Sequence, residues 1–189
     1  MPPGEFDLIH RYFTRHALSA VLGIGDDAAL LPVASGKVLA VSTDMLVSGR
    51  HFFPDADPFF LGRKSLAVNL SDMAAMGATP RWATLALALP EIDAHWLESF
   101  AKGFFSMADE FAVELVGGDT TRGSLNICVQ IMGETDRDKA LRRDRATAGD
   151  IIWISGELGA AALALAHLQG QIPLPAQALV RCAARLHNP

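Results

Sequence analysis

The sequence predicts an α+β fold, in which a mixed or antiparallel sheet carries helices on one face and the start of a second α/β domain follows. Apolar, β-branched runs alternate with long amphipathic stretches in the order β-α-β-α-β-β. A charged connector rich in arginine and lysine then precedes a further strand-helix pattern. We therefore expect one domain at 1–137 and a connector with an incomplete C-terminal domain at 138–189.

The first half of the chain has clear element signals. Phenylalanine and isoleucine at helical spacing predict a short amphipathic helix over 5–13. The apolar run 38–44 ends in two hydroxyls and an acid, which is typical of a buried strand that delivers oxygen ligands. Asp57 before a proline predicts a helix start, and Gly77 predicts its end.

The second half continues the alternation. Asp93 is a predicted N-cap for a helix with an aromatic stripe. The glycine pair 117–118 predicts a tight turn after a strand, and a plain hairpin is as good an interpretation as a phosphate-binding turn at this point. The remaining elements are predicted as strands over 82–89, 113–116, 125–134 and 150–156 and helices over 157–168 and 176–186.

Composition restricts the function. At 189 residues, with 50% hydrophobic residues, the chain is long enough for an enzyme core. A net charge of -5 gives no general attraction for nucleic acid or anionic membranes, and we expect neither as a partner. Cys128 and Cys182 have no metal-ligand spacing and read as reduced thiols, which favours a cytoplasmic location.

Four aspartates interrupt apolar elements, namely Asp27, Asp44, Asp72 and Asp119. Two bare carboxylates about 4 Å apart repel by about 4 kcal/mol at an effective dielectric constant near 20. Acids that converge therefore need protons, basic groups or cations, and our hypothesis is that these converge on a divalent metal. The alternative for Asp72, a solvent-facing acid on a helix, is about equally good without context.

The candidate donors are hard oxygen ligands, which suit Mg²⁺ or Ca²⁺ better than zinc or copper. They are Asp27, Ser42, Thr43, Asp44, Asp72 and Asp119. Mg²⁺ commonly binds a few carboxylates together with substrate phosphates, and phosphoryl transfer needs mainly positioning and charge neutralisation. A dinucleotide fingerprint at Gly23 to Ala28 is rejected, because aspartates stand where a pyrophosphate would approach.

Five ordered motifs make the chain resemble the thiamine-monophosphate kinase family, which belongs to the aminoimidazole-ribonucleotide synthetase-like ATP-binding superfamily. They are Gly4-Glu5-Phe6, Gly25-Asp26-Asp27, Ser42-Thr43-Asp44 with His51-Phe52, the segment 64–78, and Gly117-Gly118-Asp119-Thr120-Thr121. The resemblance implies phosphorylation of thiamine monophosphate to thiamine diphosphate by direct transfer of the γ-phosphoryl group of ATP, assisted by Mg²⁺. It also implies a homodimer whose N-terminal domains pair their sheets.

The resemblance also implies residue roles. Asp27, Asp44, Asp72 and Asp119 would bind metal ions, with Ser42 and Thr43 assisting; Gly118, Asp119 and Arg143 would bind ATP; and His51 would contact the thiamine phosphate. No catalytic side chain is assigned. An aromatic residue near adenine is expected at Phe104 or Phe105. Members of this family continue past residue 189 into a second α/β domain, so the chain is expected to be a fragment.

Two other functions remain open at this point. A sibling enzyme of the superfamily, which phosphorylates an amide oxygen, a carboxamide or selenide, would share the metal acids and differ around His51 and Trp82. A noncatalytic nucleotide-binding and dimerisation module is the second alternative.

Overall fold

The computed structural model describes residues 4–154 and 156–189. The elements are α1 (Glu5–Leu8), continued by a π-helical turn (Ile9–Phe13), β1 (Lys37–Val47), α2 (Pro58–Ala75), β2 (Thr79–Leu89), α3 (Ala94–Glu110), β3 (Glu114–Arg122), β4 (Asn126–Asp136), α4 (Ala160–Leu168) and α5 (Ala176–His187). They form two compact units, of which the first ends at Leu141 and the second is Arg142–Pro189. No helix among the described residues combines the length and apolar character needed to cross a membrane.

The first unit is built on a mixed four-stranded sheet in the order β1-β4-β2-β3. β4 pairs antiparallel with both β1 and β2, whereas β2 and β3 run parallel. The parallel pair is joined through α3, as a crossover connection requires. β1 and β3 are therefore the two edges of the sheet.

Different parts of the chain pack on the two faces of the sheet. Leu85 and Leu87 of β2, with Ile127 and Val129 of β4, belong to the large core that also holds α2 and α3. Side chains alternate along a strand, so the intervening positions face the other way. There Trp82, Val116 and Met132 form a smaller cluster, and the segment that precedes β1 packs on it through Ala17, Ala20, Ala29 and Leu31.

Glycines allow α2 and α3 to pack closely. A Cβ on Gly62 would lie 2.2 Å from the backbone oxygen of Phe100, and a Cβ on Gly103 would lie 1.9 Å from that of Phe59. No side chain fits at such distances, so the two helix backbones touch at these positions. This contact fixes α2 relative to α3, and both helices pack on the sheet through the large core.

The predicted α+β class and the element order of the first unit are confirmed. Asp57 and Asp93 cap α2 and α3 with side-chain oxygens, as the sequence indicated. The tight turn expected at residues 117–118 is wrong, because β3 continues through both glycines. The strand expected over 150–156 is also wrong where it is described: residues 151–154 form no strand, and Ser155 lies outside the described residues. A strand needs a neighbour to pair with, and Ile152 and Trp153 are 92% and 86% exposed.

We expect Gly103→Ala to destabilise the chain. The new methyl group would meet the backbone of Phe59 at 1.9 Å, so α2 and α3 must separate. The cost is about 1–3 kcal/mol in the free energy of unfolding, even though alanine favours a helix more than glycine does. Urea unfolding measures it.

Gly123→Ala is the matched control, since its Cβ would meet only the Ala88 methyl group at an ordinary 3.6 Å. We expect it to change stability by less than about 0.5 kcal/mol. Equal stability of the two variants would contradict the close helix contact.

Candidate functional site

A first group of candidate ligands lies on the helix side of β1. Ser42 and Asp44 pair in the ladder with Ile131 and Val129, which face the helix-side core. Directly paired residues share a face, so Ser42 and Asp44 point toward α2. The Ser42 hydroxyl accordingly donates to Oδ2 of Asp72 on α2. The structure thus brings three of the predicted ligands together, and we call Ser42, Asp44 and Asp72 the β1 acid group.

It is electrostatically unfavourable for Asp44 and Asp72 of the β1 acid group to be ionised at the same time. Burial raises the pKa of Asp44 above its ordinary value, and the nearby Asp72 carboxylate raises it further. His51 lowers it, but not enough to cancel the other two. A cation placed between Asp44 and Asp72 would relieve this repulsion.

His51 stands beside the β1 acid group with a defined donor direction. The backbone N–H of Val47 donates to Nδ1 of His51 at 3.0 Å. Because Nδ1 accepts this bond, Nε2 is the ring nitrogen left to donate to a ligand. The Lys64 ammonium donates to the backbone oxygen of His51 at 3.3 Å, and burial lowers the pKa of Lys64. The exposed His51 ring therefore offers an N–H donor to an anionic ligand.

A second group lies along β3, at the opposite edge of the sheet. The segment before β1 forms a small hairpin that is closed by a bridge between Leu22 and Leu30. Its tip carries Asp26 and Asp27, and the backbone N–H of Asp27 donates to Oδ1 of Asp26 at 2.8 Å. The tip and Asp119 line a common cavity of about 510 Å³. We call Asp27 and Asp119 the β3 acid group and the cavity that they line the β3 cavity.

The glycine pair of β3 permits a close strand contact rather than a turn. A Cβ on Gly118 would lie 1.9 Å from the backbone oxygen of Leu85 on β2, so only glycine fits. The register shifts by one residue between Ala83 and Thr84 of β2, and Val116 is the extra residue on β3. The shift matters because such bulges re-aim the side chains that follow them.

The two acid groups are separate within one chain. Asp44 lies in one cross-strand row with Gly118, three strand spacings away, which is about 14 Å along the sheet. Among residues 4–154 and 156–189, no three His, Cys, Asp or Glu side chains stand where they could hold a metal ion together. One copy of the chain therefore presents the four predicted metal aspartates as two pairs.

Other predicted site residues take different positions. Thr43 faces away from Ser42, on the opposite face of the sheet, where Gln130 Nε2 donates to its hydroxyl at 3.3 Å. Arg143 belongs to the second unit and is exposed. Neither Phe104 nor Phe105 lines the β3 cavity, because both rings are buried in the core, at 0% and 5% exposure.

Aromatic residues of the N-terminal helix line the cavity instead. Phe6 and Phe13 contribute to its wall, and Phe6 is 84% exposed. The helical spacing of Phe6 and Phe13 predicted the helix over 5–13, but neither residue was expected to contact a ligand.

The fold and its match to a family model define the class of protein. The family model described as AIR synthase related protein, N-terminal domain, matches residues 25–135. The chain belongs to this family.

More specifically, the chain is similar to thiamine-monophosphate kinases. It is 50% identical to that of Escherichia coli (strain K12) over 91% of the chain and 54% of the relative. The thiamine-monophosphate kinase of Stenotrophomonas maltophilia K279a has a TM-score of 0.82 and 49% identity over 90% of this chain and 56% of its own. The chain thus spans about half the length of the curated relatives that it matches.

Two ligand-bound structures extend the comparison. AaThiL complexed with AMPPCP and TMP has a TM-score of 0.75 and 31% identity over 84% of this chain and 51% of its own. The hydrogenase maturation protein HypE in complex with ATP has a TM-score of 0.72 and 33% identity over 89% of this chain and 51% of its own.

We expect Asp44→Asn to raise the melting temperature of the metal-free chain at neutral pH. The pKa of Asp44 is raised in the folded chain. The stability that the protonated Asp44 contributes is therefore fully present below pH 3.8 and is lost as the pH rises through the pKa of the folded state. Asparagine cannot ionise and removes that loss. The expected rise is at most about 4 °C, the shift of 1 kcal/mol in a chain of this size, measured by thermal unfolding in chelator.

Asp136→Asn is the control of opposite sign. Hydrogen bonds from Lys37 and Lys139 lower the pKa of Asp136, so its removal should lower the melting temperature. A fall for Asp44→Asn as well would mark Asp44 as a structural acid.

Proposed function

We propose that the chain is the nucleotide-binding and dimerisation part of an ATP-dependent thiamine-monophosphate kinase. In this reaction the γ-phosphoryl group of ATP is transferred directly to the phosphate of thiamine monophosphate, with the help of Mg²⁺, and thiamine diphosphate and ADP are formed. The sequence identity of 50% to the Escherichia coli kinase favours this acceptor over those of sibling enzymes, whose HypE representative is 33% identical. Two free thiols fit a cytoplasmic enzyme.

The observation that carries the proposal is the mixed character of the β3 cavity. Apolar residues such as Phe6 and Phe13 line it together with Asp26, Asp27 and Asp119. A Mg²⁺-bound nucleotide has a flat apolar base and a charged phosphate chain, so it needs both kinds of wall. Gly118 is exposed and lines this cavity, so its backbone is accessible to phosphate oxygens.

The residues present fit magnesium, although neither acid group is a complete protein cage. Mg²⁺ typically takes one or two carboxylates and completes its shell with water and substrate phosphates. The Asp44–Asp72 pair and the Asp27–Asp119 pair each supply that number. Bound Mg²⁺ would neutralise phosphate charge, while the chain's own aspartates orient it.

A homodimer would unite the two acid groups. They lie at the two open edges of the sheet, and the exposed face of β1 carries Leu39, Val41 and Met45 at 41–55% exposure. Exposed apolar residues along an edge strand favour a protein partner. We propose that β1 of one copy approaches β3 of its partner, so that one triphosphate contacts both acid groups.

His51 is the proposed contact for the phosphate of thiamine monophosphate. Its Nε2–H is a donor, and a phosphate oxygen is a strong acceptor. Lys64 secures the backbone at His51 and adds positive charge nearby. Arg143, from the second unit, is proposed to meet ATP.

The function is tested by turnover of thiamine monophosphate with Mg²⁺ and ATP, in the protein at the length of its curated relatives. We expect thiamine diphosphate as product. His51→Ala should raise the KM for thiamine monophosphate about tenfold, the loss of roughly 1.4 kcal/mol from one hydrogen bond to phosphate. The KM for ATP should not change.

Two results would replace this proposal by another. Turnover of a carboxamide or selenide acceptor, but not of thiamine monophosphate, would identify a sibling enzyme. Nucleotide binding without any product would identify a noncatalytic module.

The shared site predicts complementation between two inactive variants of this chain. Asp44→Asn and Asp119→Asn should each weaken Mg²⁺·AMPPCP binding. If Asp44 of one copy meets Asp119 of its partner, a heterodimer has one intact site and one doubly altered site. Random mixing should then restore about a quarter of the wild-type sites. Isothermal titration calorimetry measures this stoichiometry.

The unmixed variants, refolded in the same way, are the controls. A site formed within one chain gives no intact site in any mixture. Absence of tight binding after mixing would therefore contradict the shared site.

A further inference from the structure

Glu114, at the first rung of β3, binds the segment that leads into the Asp27 hairpin. Its Oε1 accepts hydrogen bonds from the backbone N–H groups of Leu18 and Ser19 at 2.9 and 3.1 Å. Its Oε2 accepts from the backbone N–H of Ser19 at 3.0 Å and from the Ser19 hydroxyl at 2.6 Å. One carboxylate therefore holds two consecutive residues.

Trp82 completes this contact from the neighbouring strand. It pairs with Glu114 in the parallel ladder and is fully buried. Its indole N–H donates to the Ser19 hydroxyl at 2.8 Å, so Ser19 Oγ links the two strands. We call Ser19, Trp82 and Glu114 the stem clamp.

Burial alone does not hold residues 17–21. Leu18 and Val21 are 84% and 72% exposed, and the residues of this stretch that pack on the Trp82 cluster are Ala17 and Ala20. Burial raises the pKa of Glu114, but the bonds from Ser19 and Leu18 outweigh it and leave the pKa below its ordinary value. The hydrogen bonds are thus made to the ionised carboxylate.

Glu114 of the stem clamp and Asp119 of the β3 acid group lie on the same strand and face the same side of the sheet. Glu114 pairs with Trp82 and Asp119 pairs with Ala86, and positions 82 and 86 lie on the same side of β2. Residues five apart on a regular strand would face opposite ways. The extra residue Val116 corrects this, so β3 fixes both the hairpin stem and Asp119.

We propose that Glu114 is a positioning residue, which sets where Asp27 stands relative to Asp119 and so tunes the affinity of the β3 acid group for Mg²⁺-bound nucleotide. The inference rests on the proposed nucleotide function. Glu114 touches no ligand in this account and acts only through the hairpin.

The test compares Glu114→Gln with Glu134→Gln. Glu134 is a matched control, because it also accepts a backbone N–H of the same N-terminal segment, from Ala34 at 2.6 Å, but beyond the hairpin. We expect Glu114→Gln to raise the Mg²⁺ concentration for half-maximal AMPPCP binding about tenfold. A change of this size corresponds to the loss of one charged hydrogen bond. Glu134→Gln should leave it unchanged, although both variants melt lower.

Two further measurements separate positioning from simple destabilisation. In an Asp27→Asn background, Glu114→Gln should have no additional effect on the Mg²⁺ requirement, since both changes act through Asp27. In the metal-free chain, hydrogen exchange should accelerate across residues 18–30 and remain unchanged in α2. Ser19→Ala keeps the backbone hydrogen bonds to Glu114 and should change the Mg²⁺ requirement and the hydrogen exchange in the same direction, but less. It replaces Glu114→Gln in the test if that variant does not fold.

The outcomes are distinguishable. Wild-type chain that binds no Mg²⁺·AMPPCP would contradict the proposed function itself. If the wild-type chain binds, three results would overturn the positioning role alone. They are an unchanged Mg²⁺ requirement in the folded clamp variants, an equal shift of the Mg²⁺ requirement in Glu134→Gln, and an effect of Glu114→Gln that adds to that of Asp27→Asn.

Discussion

The register of the four-stranded ladder is the constraint on which the rest of the account depends. It decides which side chains share a face and how many strands separate them. β1 and β3 are the outer strands, so Asp44 and Asp119 are kept about 14 Å apart along the sheet. No rotation of their side chains closes that gap. A site that uses both must therefore be completed from outside one copy of the first unit.

Local departures from regular structure shape both edges of the ladder. Gly118 lets β3 lie against Leu85 without a side chain between them, and the extra residue at Val116 turns the following acid to the face of Trp82. At the other edge, α2 lies close enough to β1 for Ser42 to bond Asp72. The β1 edge thus brings the Asp44 and Asp72 carboxylates near each other, an arrangement that repels unless a cation binds, and the β3 edge places two more carboxylates along one cavity.

Local signals in the sequence predicted most of the first unit. Asp57 and Asp93 cap α2 and α3, and Gly77 follows the end of α2. These features were predictable because helix caps depend on a few neighbouring atoms. The acids of β1 and α2 were recognised because polar residues are costly in apolar elements. A resemblance to a known family supplied the expected substrate, which no spacing of residues could give.

Long-range features were not predictable in the same way. A glycine pair serves equally well in a turn or in a close strand contact, and only the position of β2 distinguishes them. The apolar run 151–154 reads as a strand, yet strands exist only with partners. The stem clamp joins Ser19 to Glu114 across 95 positions, and neither residue stands out in the sequence.

We propose that the two acid pairs act on one Mg²⁺-bound triphosphate. A crystal structure of the chain grown with Mn²⁺ in place of Mg²⁺ and with AMPPCP tests it most directly, because Mn²⁺ is located by anomalous scattering. The account predicts metal peaks about 2.0–2.2 Å from carboxylate oxygens of Asp27 and Asp119 of one copy and of Asp44 and Asp72 of its partner. Metal and nucleotide bound at one acid pair, with the other pair facing solvent, would contradict it.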